Sequence, residues 1–125
     1  DKSAMTELYN SLYESCLYYF LDEGPTKHSF DDATRYAKKF TKMAVVESVF
    51  KNCFICNGTG KEAGENTIVK CSHCEGTGQF IYNDVNRAHM MLVKKSIFRK
   101  YDHIYKKILN KLVDIEEQAL SKLGN

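Results

Sequence analysis

Cys53-Phe54-Ile55-Cys56-Asn57-Gly58-Thr59-Gly60 and Cys71-Ser72-His73-Cys74-Glu75-Gly76-Thr77-Gly78 are one phrase written twice. Each copy reads C-x-x-C-x-G-T-G, and the two together hold four of the five cysteines. Two C-x-x-C pairs separated by 14 residues, in a chain that opens on no secretory signal, predict one tetrahedral Zn²⁺ site with ligands Cys53, Cys56, Cys71 and Cys74. The glycines have a physical task in this reading. After each C-x-x-C turn the chain doubles back so that backbone N–H groups point at the thiolates, and that bend favours positive φ. Free buried thiols would require neither the paired spacing nor the repeated Gly-Thr-Gly. Four thiolates complete the tetrahedron, so His73, inside the second C-x-x-C, is expected to be exposed rather than ligating, and the zinc is expected to be structural.

Working outward, the 125 residues suit one domain, and 43% hydrophobic with 12% aromatic residues is a globular composition. No apolar run approaches the ~20 residues that cross a bilayer, so no membrane partner is expected. Zinc thiolates in place of disulfides point to a reducing, cytoplasmic location. Asp1-Lys2-Ser3-Ala4 reads as a non-native leader ahead of a start at Met5.

Before the knuckles, residues 5–52 read as helical. Leu8, Leu12, Cys16 and Phe20 recur at i, i+4 in a helix over 6–21, with Thr6 as N-cap and Gly24-Pro25 as its stop. Cys16 belongs to this stripe as a small core hydrophobe. Tyr9, Tyr13, Tyr18 and Tyr19 make the helix rich in half-buried rings, either as core or as a protein-docking face. A second helix is predicted from Ser29, a capping residue with Asp32 three positions on. Its stripe comprises Ala33, Tyr36, Ala37, Phe40, Met43, Ala44, Val46, Val49 and Phe50, and Asn52 is the expected left-handed stop.

Residues 53–82 read as a zinc-bound β-hairpin: a polar turn over 61–70, a short strand at Thr67-Ile68-Val69, and β character in Gln79-Phe80-Ile81-Tyr82. Thirty residues of this composition bury little apolar area, so the metal has to hold them. Residues 83–124 read as a basic, helix-turn-helix-like part. Asn83 or Asp84 caps a third helix with Val85, Ala88, Met91 or His89, and Leu92 inward. Lys94-Lys95-Ser96 form a hinge, and Ser96 caps a long last helix through Ile97, Tyr101, Ile104, Ile108, Leu112, Ile115, Ala119 and Leu123 to Gly124. The fold class predicted is thus mainly α, a small helical domain with an inserted zinc-binding β-hairpin that carries the four cysteines.

The net charge is +2, but it is unevenly spread: residues 81–111 carry eight basic and two acidic side chains, while residues 1–50 carry six and eight. A basic segment beside the knuckles fits a polyanion. Arg87, Lys94, Lys95, Arg99, Lys100 and Lys106 are therefore the candidate contacts to duplex DNA, lysines neutralising phosphates and Arg99 reaching base edges. Lys107 and Lys111 continue the charge, and a solvated helix face is the plainer alternative. No catalytic set is legible. Neither Gly-Thr-Gly lies between a strand and a helix, His28, His89 and His103 are scattered, and Asp31-Asp32 suits a helix N-terminus; an enzyme is not expected.

Repeated C-x-x-C-x-G-x-G resembles the cysteine-rich region of DnaJ-type co-chaperones, over about 26 residues and without their His-Pro-Asp signature. A longer order of features resembles the lambdoid phage Q-type antitermination proteins over roughly residues 30–123. That order is an apolar helix end, the two knuckles around a polar insert, an aromatic strand, a capped helix with Arg87-Ala88, and a long amphipathic helix with Tyr101-Asp102. The second resemblance implies a DNA-binding protein that acts at a phage late promoter in the bacterial host. It would engage paused RNA polymerase, or its sigma factor, and make it read through terminators. The alternatives are a DnaJ-like zinc module that binds unfolded protein, and a general nucleic-acid-binding zinc protein.

Overall fold

Ser29 caps the helix that most of the others pack on. Its backbone is extended and its hydroxyl accepts from the Asp32 N–H at 3.1 Å, while Asp31 and Asp32 place negative charge on the first turn. The resulting helix, α2 (Phe30–Val49), is the hub of the computed structural model, which describes residues 2–23 and 27–123, without the side chains of residues 2, 5, 119, 120, 122 and 123. On α2 pack α1 (Lys2–Asp22), α3 (Asp84–Met91) and α5 (Asp102–Leu123), and α4 (Lys95–Lys100) bridges α3 to α5. Between α2 and α3 stands a small antiparallel hairpin, β1 (Lys61–Ala63) and β2 (Ile68–Lys70), with Lys61 opposite Lys70 and Ala63 opposite Ile68. The architecture is mainly helical with an inserted hairpin, as the pattern predicted.

Aromatic rings hold the helices together. Phe20 of α1 meets Phe40 of α2 edge-on at 5.4 Å and Tyr101 at 5.3 Å, while Phe98 of α4 meets Tyr105 of α5 at 5.2 Å. Each such pair contributes about 0.5–1.5 kcal/mol beyond the area it buries. Leu12, Cys16, Ala33, Ala37, Ala44, Ile104, Ile108 and Leu112 fill the space between the rings. Burial pushes the Cys16 thiol up to about 12, partly offset by the Thr41 hydroxyl, in keeping with its place as a core hydrophobe.

Several expectations are corrected. Thr6 is not an N-cap, because α1 already starts at Lys2. The expected stops at Gly24-Pro25 and Gly124 lie outside the described residues, as do the side chains of Ala119 and Leu123. Asn52 does not take a left-handed conformation. Helix α2 ends at Phe50, with φ −96°, and Asn52 pairs across the clasp base with Gln79. Val49 and Phe50 are exposed rather than part of the core. Residues 80–82 form no strand.

The long last helix is two helices. Lys94, not Ser96, is the N-cap of α4, and it supplies no side-chain bond. The chain then breaks at Tyr101, with φ −111° and ψ 17°, where its ring turns onto Phe20, His28 and Tyr36. Periodicity carries across that break because the apolar residues on both sides face the same core. In α3, Val85 and Leu92 are exposed and Met91, rather than His89, is buried.

Candidate metal centre

Each knuckle begins as a C-x-x-C turn and closes on its own sulfur. In the first, Gly58 N–H donates to Cys53 O at 2.8 Å and Gly60 N–H donates to Cys56 Sγ at 3.2 Å. In the second, Gly78 N–H donates to Cys74 Sγ at 3.3 Å. Thr59 and Thr77 do the same work in both copies, each hydroxyl donating to the second cysteine's carbonyl at 2.8 Å and accepting from the N–H two residues on. The two knuckles are then tied reciprocally. Cys53 N–H donates to Gly78 O and Cys71 N–H donates to Gly60 O, both at 2.8 Å. A repeated sequence has folded into a repeated, twofold-like pair, and the reciprocal bonds set the spacing of the sulfurs.

Two glycines are obligatory for that approach. Gly60, at φ +76°, and Gly78, at φ +77°, cross the opposite knuckle so closely that a Cβ would lie 2.6 Å from Gly76 O and Gly58 O respectively. The bend between the second cysteine and its first glycine is left-handed as well, at Asn57 and Glu75.

The four sulfurs lie within 4.8 Å of one another, and all four cysteines are buried. Cys56 Sγ and Cys74 Sγ are 3.7 Å apart. For metal–sulfur bonds of about 2.3 Å, the edge of a regular tetrahedron is about 3.8 Å. The distance is far from a disulfide, and the cysteines are free thiols. Burial works against the Cys56 thiolate, but the Gly60 amide and the neighbouring thiols outweigh it and hold the group down to about 6. The Gly78 amide likewise helps to lower Cys74 against its burial. Four thiolates this close repel one another, and a cation in their midst removes that conflict. Cys53, Cys56, Cys71 and Cys74 are thus arranged to hold one metal ion, with His73 exposed and outside the cluster.

The clasp is pinned to the helices that enter and leave it. Phe80 N–H donates to Lys51 O at 2.8 Å, and the Tyr82 hydroxyl donates to Phe50 O at 2.6 Å. Phe54 stacks on Phe80 at 4.7 Å, and Phe80 meets Tyr82 edge-on at 4.8 Å. Asn83 and Asn86 form a capping box at the start of α3, and Asn86 also donates to Ile81 O at 3.0 Å. The thiol clasp is therefore bonded both to the end of α2 and to the segment that leads into α3.

The cationic candidates separate into two groups. Lys94, Lys95 and Lys100 are exposed around α4. Arg99 is 60% exposed, 3.6 Å from Asp84, and Lys106 is 72% exposed, 3.0 Å from Asp102. Arg87 stands apart. Its side chain is 19% exposed and its guanidinium grips Glu47 of α2 at 2.6 and 3.2 Å, with Tyr105 also donating to Glu47 at 3.2 Å. Burial disfavours the Arg87 cation, but Glu47 more than compensates and raises its pKa. The same burial and carboxylate keep the Tyr105 phenol protonated. Arg87 is a strut between α2, α3 and α5 rather than part of the exposed cationic set.

Lys39 and Glu47, both on α2, have roles that no local pattern announces. Lys39 Nζ donates to Met91 O and Leu92 O at 3.2 and 3.3 Å, neutralising the C-terminus of α3 from 52 residues away in sequence. Among the described residues, no helix is long and apolar enough to cross a membrane. No protein-family model, curated protein or solved structure matches this chain.

Proposed function

We propose that the protein is a zinc-stabilised DNA-binding protein of the transcription-antitermination type, acting in the cytoplasm of a bacterial host on duplex DNA and RNA polymerase. The observation that carries the reading is the exposed cationic corner around α4, placed by a helix pair that the thiol clasp joins. Zinc is the ordinary occupant of a closed site of four thiolates, and its role here is to fix the clasp, with no open coordination position for chemistry. Lys94, Lys95 and Lys100 would neutralise phosphates. Arg99 and Lys106, themselves exposed, would exchange their half-buried partners Asp84 and Asp102 for phosphate or base edges, a change opposed by surface ion pairs worth about 0–1 kcal/mol each. The acidic first half of the chain, with Tyr18 exposed on α1, is the surface left for polymerase.

Two experiments test the proposal. Elemental analysis of the purified protein should return one zinc per chain; a coloured iron tetrathiolate would replace zinc in this account. Binding to late-promoter duplexes, with terminator read-through by purified RNA polymerase, tests the function. Absence of both binding and read-through sinks it. Salt-dependent binding without promoter preference or read-through would leave a general nucleic-acid-binding protein. A second reading has its own observation: Phe50, Phe54, Ile55 and Ile81 are all exposed on and beside the clasp. That apolar surface suits the alternative of a module that holds unfolded chains, and suppression of a client's aggregation by protein with no DNA affinity would favour it.

A further inference from the structure

An open groove of about 440 Å³ runs between α2 and α3. Its floor is Met43, Val46, Met90 and Met91, its lip is Leu92, and Lys39 and Lys42 stand beside it. Three of the four methionines in the chain line this one feature. Met43 and Met91 are buried at its base, while Met90 is 41% exposed. Methionine is the side chain that adapts most readily to varied apolar partners.

Leu92 is the anomaly. It ends α3 in a left-handed conformation, φ 58° and ψ 44°, inside a complete Schellman turn: its own N–H donates to His89 O at 3.1 Å and Val93 N–H to Ala88 O at 3.0 Å. Glycine is the usual residue there, because a side chain in this conformation costs roughly 1–2 kcal/mol. Leucine would offset that cost by burying its side chain, yet Leu92 is 82% exposed. A strained backbone carrying an exposed apolar side chain gains nothing for the fold, which places its use outside the monomer. Charge selects the partner. Among the described residues no carboxylate lines the groove; the cations beside it are Lys42, which is exposed, and Lys39, which also bonds Met91 O and Leu92 O. Apart from those ammonium groups there is nothing to orient a small polar ligand, and the apolar floor does not suit a phosphate backbone.

We infer that the Met43–Met91 groove, with Leu92 as its lip, docks an acidic amphipathic helix of a partner protein, apolar side chains seated on the methionines and carboxylates meeting Lys42 beside them. The inference does not depend on the DNA reading. The test uses the full metal-loaded chain and two fluorescein-labelled synthetic helical peptides. Both carry leucine and phenylalanine at i, i+3, i+4 and i+7; one has glutamate at the remaining positions and the other lysine. The acidic peptide should bind with saturation in fluorescence anisotropy and shift the methyl resonances of Met43, Met90 and Met91, and the basic peptide should not. Leu92→Gly, which suits the backbone better, should keep or raise the melting temperature while weakening binding at least about tenfold, the effect of one leucine left unburied. Lys42→Glu should reverse the preference between the peptides, and Met90→Glu provides a second test on the floor. Failure of the acidic peptide to bind, equal binding of the basic one, full affinity in Leu92→Gly, or methyl shifts elsewhere would each overturn the inference. A concentration-dependent dimer abolished by Leu92→Gly would overturn it in favour of a second copy of this chain.

Discussion

Replacing the knuckle glycines one at a time with alanine should give two distinct classes of outcome. Gly58, Gly60, Gly76 and Gly78 all have φ between +76° and +83°, so alanine costs each about 1–2 kcal/mol in backbone strain. At Gly58 the new methyl meets the Asn52 side chain at 3.4 Å, and at Gly76 it meets Lys70 side-chain atoms at 3.3 Å. Those contacts ask the neighbour to shift by a few tenths of an ångström at most. At Gly60 and Gly78 the methyl would lie 2.6 Å from a backbone carbonyl oxygen of the other knuckle, so the two turns have to separate. Moving the glycine back to relieve the clash stretches its own N–H···S bond, and parting the knuckles stretches the bond from Cys71 to Gly60 O or from Cys53 to Gly78 O. At about 1 kcal/mol for each weakened bond, the total at Gly60 or Gly78 is about 3–4 kcal/mol. Because metal binding and clasp folding are one equilibrium, this should appear as metal affinity lowered by about two to three orders of magnitude, against about tenfold for Gly58→Ala and Gly76→Ala. Competition with a calibrated chelator measures it directly. Equal losses at all four positions would refute the idea that the close crossing of the knuckles, rather than positive φ alone, sets the site.

Further outcomes follow from the same geometry. Cys53→Ser or Cys71→Ser should abolish stoichiometric metal binding and expose amides 51–82 to hydrogen exchange while the helical core stays protected; a variant that keeps both its fold and one bound metal would end the single-site assignment. Lys94→Ala, Lys95→Ala and Lys100→Ala combined should leave the melting temperature within a degree or two and reduce the salt slope of DNA binding by roughly one for each phosphate no longer neutralised. Arg87→Met should do the reverse, lowering stability by about 2 kcal/mol in urea unfolding, because Glu47 is left half-buried without its cation, while the salt slope stays unchanged. Among the described residues the buried Thr41 hydroxyl has no oxygen or nitrogen partner, lying near the Cys16 thiol, so Thr41→Val should be neutral or stabilising by about 1 kcal/mol in the same assay. Glu23 is partly buried, which disfavours its charge, yet its contacts with His28 and His103 hold its pKa below the usual carboxylate value. A carboxylate depressed in the folded state stabilises above the unfolded value and loses that contribution as pH falls through the folded one. The gap in melting temperature between the natural chain and Glu23→Gln should therefore narrow on acidification below about pH 4.

How far the sequence reaches can be judged residue by residue. Repetition of C-x-x-C-x-G-T-G announced both knuckles, because every hydrogen bond within a knuckle spans five residues or fewer and is coded locally; the pairing of the two rests on the longer-range bonds Cys53 N–H to Gly78 O and Cys71 N–H to Gly60 O. Ser29 announced its helix for the same reason, a cap being a contact across three residues; at α3 the sequence offered Asn83 or Asp84, and the structure selects Asn83. The i, i+4 stripes likewise identified Leu12, Cys16, Phe40 and Ile108 as core.

Tertiary structure decided what depends on partners distant in the chain. The apolar period runs unbroken through Tyr101, yet the helix breaks there as the ring turns into a pocket built by α1 and α2. Arg87 reads as one more cation of a basic segment until Glu47, 40 residues earlier, is seen to hold it. Leu92 belongs to the apolar stripe of α3 by spacing alone, but the left-handed turn at that residue carries it outward onto the lip of a groove. Local coding thus determined each knuckle and most of the helices. Which charges and apolar side chains remain free for partners was settled only when the helices packed, since availability depends on every other element that reaches the same side chain.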